Sequence, residues 1–496
     1  MSWQNPDELK EAARLEWERL EGLAQPLKPR DRMALPAQEM PTQEPLARAR
    51  NMREVATGYF ADQARVEAQR CLQCKNAPCV NGCPVSIRIP DFIAELVKGD
   101  PAAAIRIIKQ TSLLPAVCGR VCPQETQCQQ PCTLGKALKS VEKAVAIGRL
   151  ERYAADWERE HNAMQSPVVA PATGRKVAVV GSGPAGITVA ADVRRAGHEV
   201  VLFEAFHKAG GVLVYGIPEF RLPKAIVQTE LDALKQMGVE IRTNFVVGRT
   251  RKLADLLEKD GFDAVFVGTG AGLPKFMNIE GENLVGVYSA NEYLTRSNLM
   301  KAYNSDKAFT PIHSPERVAV LGGGNVAMDA ARTALRLGAK NVHLIYRRTE
   351  VEMPARVEEV RHAKEEGVQF HLLQNARRIL GEKGRVTAVE CLRYELGEPD
   401  ASGRRRPVEV AGSEFQIPID AVIIAIGNES NPLIKQTTPG LETDKWGHIL
   451  TDENGRTSLP KVFAGGDIVL GAATVILAMG EGRKAAAAIN ALLSQP

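Results

Sequence analysis

Eight of the nine cysteines form two groups of four that could hold metal ions. The first group has the spacing C-x2-C-x4-C-x3-C and contains Cys71, Cys74, Cys79 and Cys83, with Pro84 directly after the last. The second group has the spacing C-x3-C-x5-C-x3-C and contains Cys118, Cys122, Cys128 and Cys132. Thiolates at such short spacings converge on iron, and a proline after the last cysteine is typical of runs that serve two clusters. The pattern predicts two four-iron clusters.

Zinc and disulfides are the alternatives to iron for these cysteines. Zinc would need only Cys71, Cys74 and a distant pair, although zinc ribbons rarely contain eight cysteines so close together. Disulfides would require an oxidising compartment. Only Cys391 lies beyond the two groups, and this clustering indicates a local metal site rather than a disulfide framework. Spacing alone does not assign individual cysteines to one cluster or the other.

The segment KVAVVGSGPAGITVAADVRRAGHEVVLFEA has the order strand, glycine turn, helix, strand that binds a dinucleotide. Gly181 permits the tight turn, Gly183 lets a pyrophosphate approach the backbone, and the helix that follows offers its N-terminal amides. Glu204 ends the second strand, where a carboxylate accepts a hydrogen bond from a ribose hydroxyl. The residues of the turn predicted to contact the nucleotide are Gly181, Ser182, Gly183, Pro184, Ala185 and Gly186.

A second unit of the same kind, RVAVLGGGNVAMDAARTALRLGAKNVHLIYRR, ends its second strand on two arginines instead of an acidic residue. Guanidinium groups at this position suit a 2′-phosphate, so this unit is predicted to bind NADPH in preference to NADH. The predicted contacts are Gly322, Gly324, Asn325, Val326, Ala327, Arg347 and Arg348.

Alternating strand and helix patterns around the two glycine turns predict an α/β fold with parallel sheets. Residues 1–50 are predicted to form a helix that starts near Asn5, then an extended arm from residue 24. Residues 51–170 are predicted to form the helical iron-sulfur domain, which ends in a polar linker. A discontinuous FAD domain is expected over residues 171–290 and 428–496. The NADPH domain is expected over residues 291–427.

Composition excludes several classes of protein. The chain has 496 residues, a formal net charge of +4 and 44% hydrophobic residues, which is typical of a globular protein of about three domains. The longest basic run, Arg404 to Arg406, is predicted to lie at a solvated hairpin tip, so nucleic-acid binding is not expected. No apolar run is long enough to cross a bilayer and the first residues are charged, so a cytoplasmic protein without membrane contact is expected.

Three segments in the cysteine-rich region, CLQCKNAPCVNGCPV, LPAVCGRVCPQETQC and VAIGRLERY, resemble a known N-terminal domain. It is shared by the small subunit of bacterial glutamate synthase, the large subunit of NADH-dependent ferredoxin:NADP oxidoreductase, and dihydropyrimidine dehydrogenase. The resemblance implies one cluster on Cys71, Cys74, Cys79 and Cys132. It implies a second on Cys83, Cys122, Cys128 and Glu151, with Cys118 as a spare thiol or an alternative ligand to Glu151.

Near the C-terminus, LPKVFAGGDIVLGAATVILAMGEGRKAAAAI resembles the second flavin-binding motif of two-dinucleotide-domain flavoproteins. The resemblance implies a glutathione-reductase-like arrangement of FAD and NADPH domains. It also implies that Asp467 hydrogen-bonds FAD and that the next helix points its N-terminus at the flavin ring. The further FAD contacts that follow from the resemblance are Gly210, Gly211, Arg221, Thr269, Gly270, Gly427, Gly466 and Thr474.

Together these parts predict an enzyme that passes electrons from NADPH through FAD to iron-sulfur clusters and then to a partner in a hetero-oligomer. A glutamate synthase small subunit that serves a larger subunit is expected. The alternative is the large subunit of a bifurcating ferredoxin:NADP oxidoreductase with a smaller ferredoxin-reductase-like partner. Two rival functions fit less well. A disulfide reductase would need a C-x-x-C pair near Cys391, and a cluster-carrying scaffold would not need two intact nucleotide motifs.

Overall fold

In the computed structural model a helical N-terminal region precedes two parallel sheets, which confirms the predicted α/β fold. The structure describes residues 3–494 except 165, 166, 305, 307, 309, 311, 313, 314 and 402. Part of the predicted polar linker therefore lies outside the described residues.

Short helices, several of which begin with proline, make up the N-terminal region. Proline suits the first helical position because its missing N–H and fixed φ cost nothing there. In α1 the side chain of Asn5 caps the helix by accepting a hydrogen bond from the Asp7 N–H at 2.9 Å. The helices are α1 Pro6–Glu21, α2 Pro29–Ala34, α3 Pro45–Arg48, α4 Ala61–Gln69, α5 Pro78–Asn81, α6 Ile89–Val97, α7 Pro101–Ile108, α8 Pro115–Val121, α9 Thr133–Ala137 and α10 Ile147–Glu160.

The prediction of an extended arm from residue 24 to 50 was wrong in part, because α2 and α3 interrupt it. Each begins at a proline and has an acidic residue in position to cap its N-terminus. Asp31 accepts a hydrogen bond from the Lys28 N–H at 3.0 Å, and Glu44 accepts one from the Ala47 N–H at 2.7 Å. These local caps stabilise single helical turns that a proline-rich, polar composition does not suggest.

The first sheet is parallel and has the strand order β16-β4-β1-β2-β3. Its turns and strand ends carry the first glycine motif and the C-terminal motif along one edge, as expected for a parallel sheet. The strands are β1 Lys176–Val180, β2 Glu199–Phe203, β3 Glu240–Arg242, β4 Ala264–Val267 and β16 Val462–Ala464. The helices are α11 Pro184–Arg195, α12 Val212–Tyr215, α13 Lys224–Gln236, α14 Leu253–Glu258, α18 Leu433–Thr437, α19 Asp467–Leu470 and α20 Val475–Leu493.

The second sheet is also parallel and has the strand order β6-β14-β7-β8-β9. Its strands are β6 Val287–Ser289, β7 Arg317–Leu321, β8 Asn341–Tyr346, β9 Gln369–Leu372 and β14 Ala421–Ile424, and its helices are α15 Ala290–Asn298, α16 Asn325–Arg336 and α17 Val357–Glu365. An antiparallel sheet lies between β9 and β14 in the chain. It contains β10 Gln374–Glu382, β11 Arg385–Pro399, β12 Arg405–Glu409 and β13 Phe415–Pro418.

The chain passes between the two parallel sheets through two short strands that pair with each other. These are β5 Leu273–Pro274 and β15 Asn428–Glu429, which follow β4 and β14. The predicted limit at residue 428 coincides with this crossing. At the other limit, β6 belongs to the second sheet although it precedes residue 291, because its backbone pairs with β14. The domain limits themselves stay predictions.

A buried ion-pair network holds the N-terminal arm against the second dinucleotide unit. Glu366 accepts hydrogen bonds from Arg48 on α3 at 2.9 Å and from Arg332 and Arg336 on α16, each at 2.7 Å. Arg48 also pairs with Glu365 at 2.5 Å. Because these charges are buried, each needs its partner, and the network fixes how the two regions meet.

Candidate iron-sulfur and dinucleotide sites

One cavity in the helical region is lined by four of the cysteines together with almost only apolar residues. The four are Cys71, Cys74, Cys79 and Cys132, the set that the family resemblance implies for one cluster. The cavity walls are Leu72, Pro78, Ile89, Pro90, Ile93, Thr133, Leu134, Val145 and Ile147. The chain reaches this cavity at the C-terminal end of α4 and again at Cys132, the residue before α9.

The electrostatics of this first group suit a bound cation. Burial raises the pKa of the Cys71 thiol to about 11, and the neighbouring Cys132 and Cys74 add to the shift. Burial raises the pKa of Cys79 to about 12. A metal that takes the place of these thiol protons removes the cost of four crowded thiolates. Cys74 and Cys79 are half-buried, so this group lies close to the surface.

The second group, taken as the second ligand set that the resemblance implies, consists of Cys83, Cys122, Cys128 and Glu151. Burial raises the pKa of Cys83 to about 11, and the nearby Glu151 and Cys122 contribute. Burial also raises the pKa of Cys128, with contributions from Cys83, Cys122 and Glu151. Each of these groups therefore lies within electrostatic reach of the others.

Glu151 is a buried carboxyl group on α10 with an unused acceptor. Its side-chain Oε1 is fully buried and has no hydrogen-bond partner among the described residues. Burial alone raises its pKa to about 8. A buried polar atom without a partner costs on the order of 1–3 kcal/mol, and coordination to a cluster iron would remove this cost.

Cys118 is fully buried and does not line the cavity that contains Cys71, Cys74, Cys79 and Cys132. Its Sγ lies 3.5 Å from the Sδ of Met479 on α20, and a hydrogen bond with Cys122 is the largest cause of its raised pKa. Cys118 therefore lies beside the predicted ligand Cys122, and the choice of Glu151 rather than Cys118 as the fourth ligand stays a prediction. All nine cysteines are free thiols. Within the described ranges, no three His, Cys, Asp or Glu side chains are grouped around a position for a single metal ion, whereas a four-iron cluster is larger and spreads its four ligands over separate irons.

The first glycine turn has the geometry of a pyrophosphate cradle. Gly181 has a φ of +99°, and a Cβ there would collide with the carbonyl oxygen of Gly268. At Gly186 a Cβ would collide with the Gly181 carbonyl, so this glycine lets α11 pack closely against the turn. A Cβ at Gly183 would meet no atom within 4 Å, which leaves open space for phosphate beside the backbone. Pro184 and Ala185 form the first turn of α11.

Ser182 and Glu204 are joined at the end of β2. Glu204 accepts hydrogen bonds from the Ser182 N–H at 3.2 Å, from the Ser182 hydroxyl, and from the Phe206 N–H at 2.8 Å. The same hydroxyl accepts a bond from the Gly210 N–H at 2.8 Å. Ser182 thus fixes the carboxylate of Glu204 and also the Gly210–Gly211 turn, where a Cβ at Gly211 would lie 2.8 Å from the Gly183 Cα.

The remaining predicted FAD contacts lie after β4, β14 and β16. Thr269 has a buried hydroxyl without a partner among the described residues, and Gly270 has open space where a Cβ would be. Gly427 is likewise open and has a φ of +115°. Gly466 precedes Asp467, whose pKa burial raises to about 6 and whose carboxylate accepts a bond from the Ala473 N–H at 3.3 Å.

Thr474 joins the flavin motif to the second cysteine group. It caps α20 by accepting a hydrogen bond from the Leu477 N–H at 3.3 Å. Its hydroxyl also accepts a bond from the side-chain amide of Gln127 at 3.1 Å, and Gln127 is next to Cys128. The sequence carries no signal for this role of Gln127, because the contact joins residues far apart in the chain.

Arg221, a predicted FAD contact, forms buried ion pairs. Its guanidinium donates to both oxygens of Asp329, at 2.7 and 2.8 Å, and its Nε lies 3.2 Å from Glu359. Asp329 and Glu359 belong to α16 and α17, so Arg221 joins the first dinucleotide unit to the second. The sequence does not suggest these ion pairs, because the two carboxylates come from a different part of the chain, and the FAD contact of Arg221 stays a prediction.

The second glycine turn repeats the features of the first. Gly322 has a φ of +145°, and a Cβ there would collide with the Ala425 carbonyl. The space beside Gly324 is open except for Pro354 at 3.8 Å. Asn325 is the first residue of α16, Val326 is 38% exposed, and Ala327 is buried where the helix packs on the sheet.

The two arginines at the end of β8 have different surroundings. Arg347 is exposed, as a 2′-phosphate ligand must be. Arg348 is buried, donates to Asp400 at 2.7 Å and donates to the carbonyl of Arg405 at 2.8 Å. The β11–β12 hairpin thus binds part of the Arg348 guanidinium, and the contact of Arg348 with the nucleotide stays a prediction. The hairpin predicted around Arg404 to Arg406 is present.

Two parallel sheets with glycine turns and a helical cysteine domain define a dinucleotide-dependent oxidoreductase with an iron-sulfur domain. Comparison with known families supports this class. Residues 175–489 match the pyridine nucleotide-disulphide oxidoreductase model, and residues 48–163 match the model for dihydropyrimidine dehydrogenase domain II, 4Fe-4S cluster.

Individual relatives narrow the class to one family. The chain is 40% identical over 441 residues to the glutamate synthase [NADPH] small chain of Escherichia coli, which covers 87% of this chain and 92% of that protein. It is also 40% identical over 441 residues to the NADP(+)-dependent formate dehydrogenase subunit beta of Moorella thermoacetica, covering 84% of this chain and 60% of that protein. The chain belongs to the glutamate synthase small-chain family of pyridine nucleotide-disulphide oxidoreductases.

The fold of the two dinucleotide units is shared with a solved structure. Mycobacterium tuberculosis FprA in complex with NADPH superposes with a TM-score of 0.55 at 21% identity, over 65% of this chain and 85% of that one. Within the described part of this chain, no helix is both long and apolar enough to span a membrane. The cytoplasmic location stays a prediction.

The assignment of Glu151 as the fourth ligand of the second cluster can be tested by changing Glu151 and, separately, Cys118. We expect Glu151→Ala to lose the second cluster or convert it to a three-iron form, because one of the four irons would lose its protein ligand. Cys118→Ser should keep both clusters. Electron paramagnetic resonance of the anaerobically purified variants distinguishes the two cases. A Cys118→Ser protein that lacks a cluster would reverse the assignment.

The different surroundings of the two arginines predict different losses. Arg347→Ala should weaken NADPH binding by roughly ten- to a hundred-fold, since one charge-assisted contact is worth about 1.5–3 kcal/mol, and should leave NADH use unchanged. Arg348→Ala should lower stability and affect both nucleotides alike. Steady-state kinetics with an artificial acceptor measures both. An equal loss for NADPH and NADH in Arg347→Ala would contradict a 2′-phosphate role.

Proposed function

We propose that this chain is the NADPH-oxidising subunit of a larger enzyme and passes electrons through FAD and two [4Fe-4S] clusters to a partner subunit. The observation that carries the proposal is the contact between the second cysteine group and the flavin motif. Gln127, beside Cys128, hydrogen-bonds Thr474, and Cys118 contacts Met479 on the same helix. A cluster on Cys83, Cys122, Cys128 and Glu151 would thus adjoin the helix that begins at the flavin.

The two cysteine groups differ in depth, and this difference suggests the direction of flow. Of the cysteines predicted to hold each cluster, Cys74 and Cys79 are half-buried in the first set, whereas Cys128 alone is half-buried in the second. We place the second cluster next to the flavin and the first cluster at the exit to a partner. A buried group exchanges electrons inside the protein, and a group near the surface exchanges them with another molecule.

Each predicted contact has a defined task in this proposal. A bound flavin accepts a hydride from NADPH and releases electrons one at a time, which the clusters carry onward. The chain itself binds and orients: Glu204 accepts from the FAD ribose, Asp467 fixes the middle of the cofactor, and α20 directs its positive N-terminus at the ring. Arg347 selects the phosphorylated nucleotide. Hydride and electron transfer between bound cofactors need no general acid or base from the chain, so none is expected.

The partner that fits the family best is a glutamate synthase large subunit. The matches to the glutamate synthase small chains extend over most of those proteins' length. A small chain implies a larger partner, which suggests a hetero-oligomer. The second candidate is a subunit of another multi-subunit oxidoreductase, such as the bifurcating ferredoxin:NADP enzyme. It is favoured by the similarity to a formate dehydrogenase subunit beta.

Anaerobic purification of the native complex from its source organism tests this proposal. The complex should form glutamate from 2-oxoglutarate, glutamine and NADPH, whereas the chain alone should reduce dyes with NADPH and form none. A complex with Cys74→Ala should keep hydride transfer, seen as bleaching of the flavin by NADPH, but lose glutamate formation. Undiminished glutamate formation without the first cluster would contradict this exit route, and reduction of ferredoxin in place of glutamate formation would favour the second candidate.

A further inference from the structure

Residues 354–357 lie directly against the second glycine turn. The Ala355 N–H donates to the carbonyl of Gly323 at 3.3 Å, and the Arg356 N–H donates to Oδ1 of Asn325 at 3.0 Å. Asn325 is one of the residues predicted to contact NADPH. These two hydrogen bonds tie the segment to the turn that is predicted to hold the nucleotide, so a shift of the turn would move the segment as well.

The same segment also contacts the loop that carries ligands of the second cluster. The Nη1 of Arg356 donates to the carbonyl of Arg120 at 3.0 Å, and the Val357 N–H donates to Glu125 at 3.2 Å. Arg120 and Glu125 flank Cys122 in the chain. Arg356 is 7% exposed, so this hydrogen bond is shielded from water. Its charge is balanced by Glu358, which accepts from Nη2 at 3.1 Å.

The side-chain amide of Asn325 can connect a bound nucleotide to Arg356. An amide has an acceptor end and a donor end. The acceptor end holds Arg356, and the NH2 end forms no hydrogen bond with any described residue, so it is available to a phosphate oxygen. A nucleotide phosphate and Arg356 would then hold opposite ends of one rigid group. A nucleotide bound there would thus be linked through Asn325 and Arg356 to the carbonyl two residues before Cys122.

We propose that Arg356 is a positioning residue that links NADP(H) binding to the second cluster. The inference rests on the proposed function, since it assumes nucleotide at the second turn and a cluster on Cys122. By linkage, a nucleotide that changes the reduction potential of the cluster must bind with different affinity to the oxidised and reduced forms. NADPH entry would thereby prepare the cluster that receives its electrons.

The test is a redox titration of the holoenzyme followed by electron paramagnetic resonance, with and without a nucleotide that cannot be reduced. The probe is 3-aminopyridine adenine dinucleotide phosphate. A coupling of about fivefold in affinity corresponds to a shift of about 40 mV for a one-electron couple. We expect this shift in the second cluster and not in the first, and expect Arg356→Gln and Arg356→Lys to abolish it.

A matched control separates this link from domain contacts in general. Arg361 on α17 also joins the second dinucleotide unit to the N-terminal arm, through Glu39 at 2.7 Å, but does not contact residues 118–128. Arg361→Gln should keep the shift. An unshifted potential in the unsubstituted protein, a shift retained in Arg356→Gln, or a shift lost in Arg361→Gln would each overturn the proposal.

Deuterium exchange of residues 118–128 gives a second readout that does not depend on cluster potentials. The probe should slow exchange there in the unsubstituted holoenzyme and not in Arg356→Gln. An electron paramagnetic resonance spectrum that shows a single cluster would contradict the proposed two-cluster function. The deuterium-exchange experiment would still decide the role of Arg356 in that case. Equal exchange with and without the probe would overturn the link even if both clusters are present.

Discussion

The close packing of the second cysteine group against two helices is the constraint on which the rest of the arrangement depends. A Cβ at Gly119 on α8 would lie 2.7 Å from the backbone of Arg152 on α10, so only glycine lets α8, which ends before Cys122, pack this closely against α10, which carries Glu151. A Cβ at Gly480 on α20 would lie 3.0 Å from the carbonyl of Pro84. The same dense packing leaves Glu151 buried without a hydrogen bond, a cost that coordination to iron would remove.

Charge pairing fixes the second dinucleotide unit relative to this centre. Arg221 joins α16 and α17 to the first unit, Glu366 joins them to the N-terminal arm, and Arg356 joins them to the loop before Cys122. Buried ion pairs add little net stability compared with apolar packing, but separating them is costly. Another orientation of this unit would leave several buried charges unpaired, so the network favours one geometry between the NADPH turn, the flavin motif and the cysteine loops.

The parts that could be predicted from the sequence are those that local chemistry determines. The glycine turns, the strands on either side and the division into helical and α/β regions depend on short segments, and the structure has them as expected. Family resemblance supplied the two cysteine sets, which spacing left open, and the cavity around Cys71 agrees with one of them. The ion pairs of Arg221 and Arg348 could not be predicted, because their partners, Asp329 and Asp400, are distant in the chain. The roles of Gln127 and Arg356 depend on similar long-range contacts and leave no local pattern.

The central claim is that two clusters stand between one flavin and the surface of the protein. The most direct measurement is the content of iron, acid-labile sulfide and FAD in the anaerobically purified chain. The arrangement predicts about eight iron atoms, about eight sulfides and one FAD per chain, because each ligand set holds one four-iron cluster. A chain with only four iron atoms, or with zinc in place of iron, would contradict it.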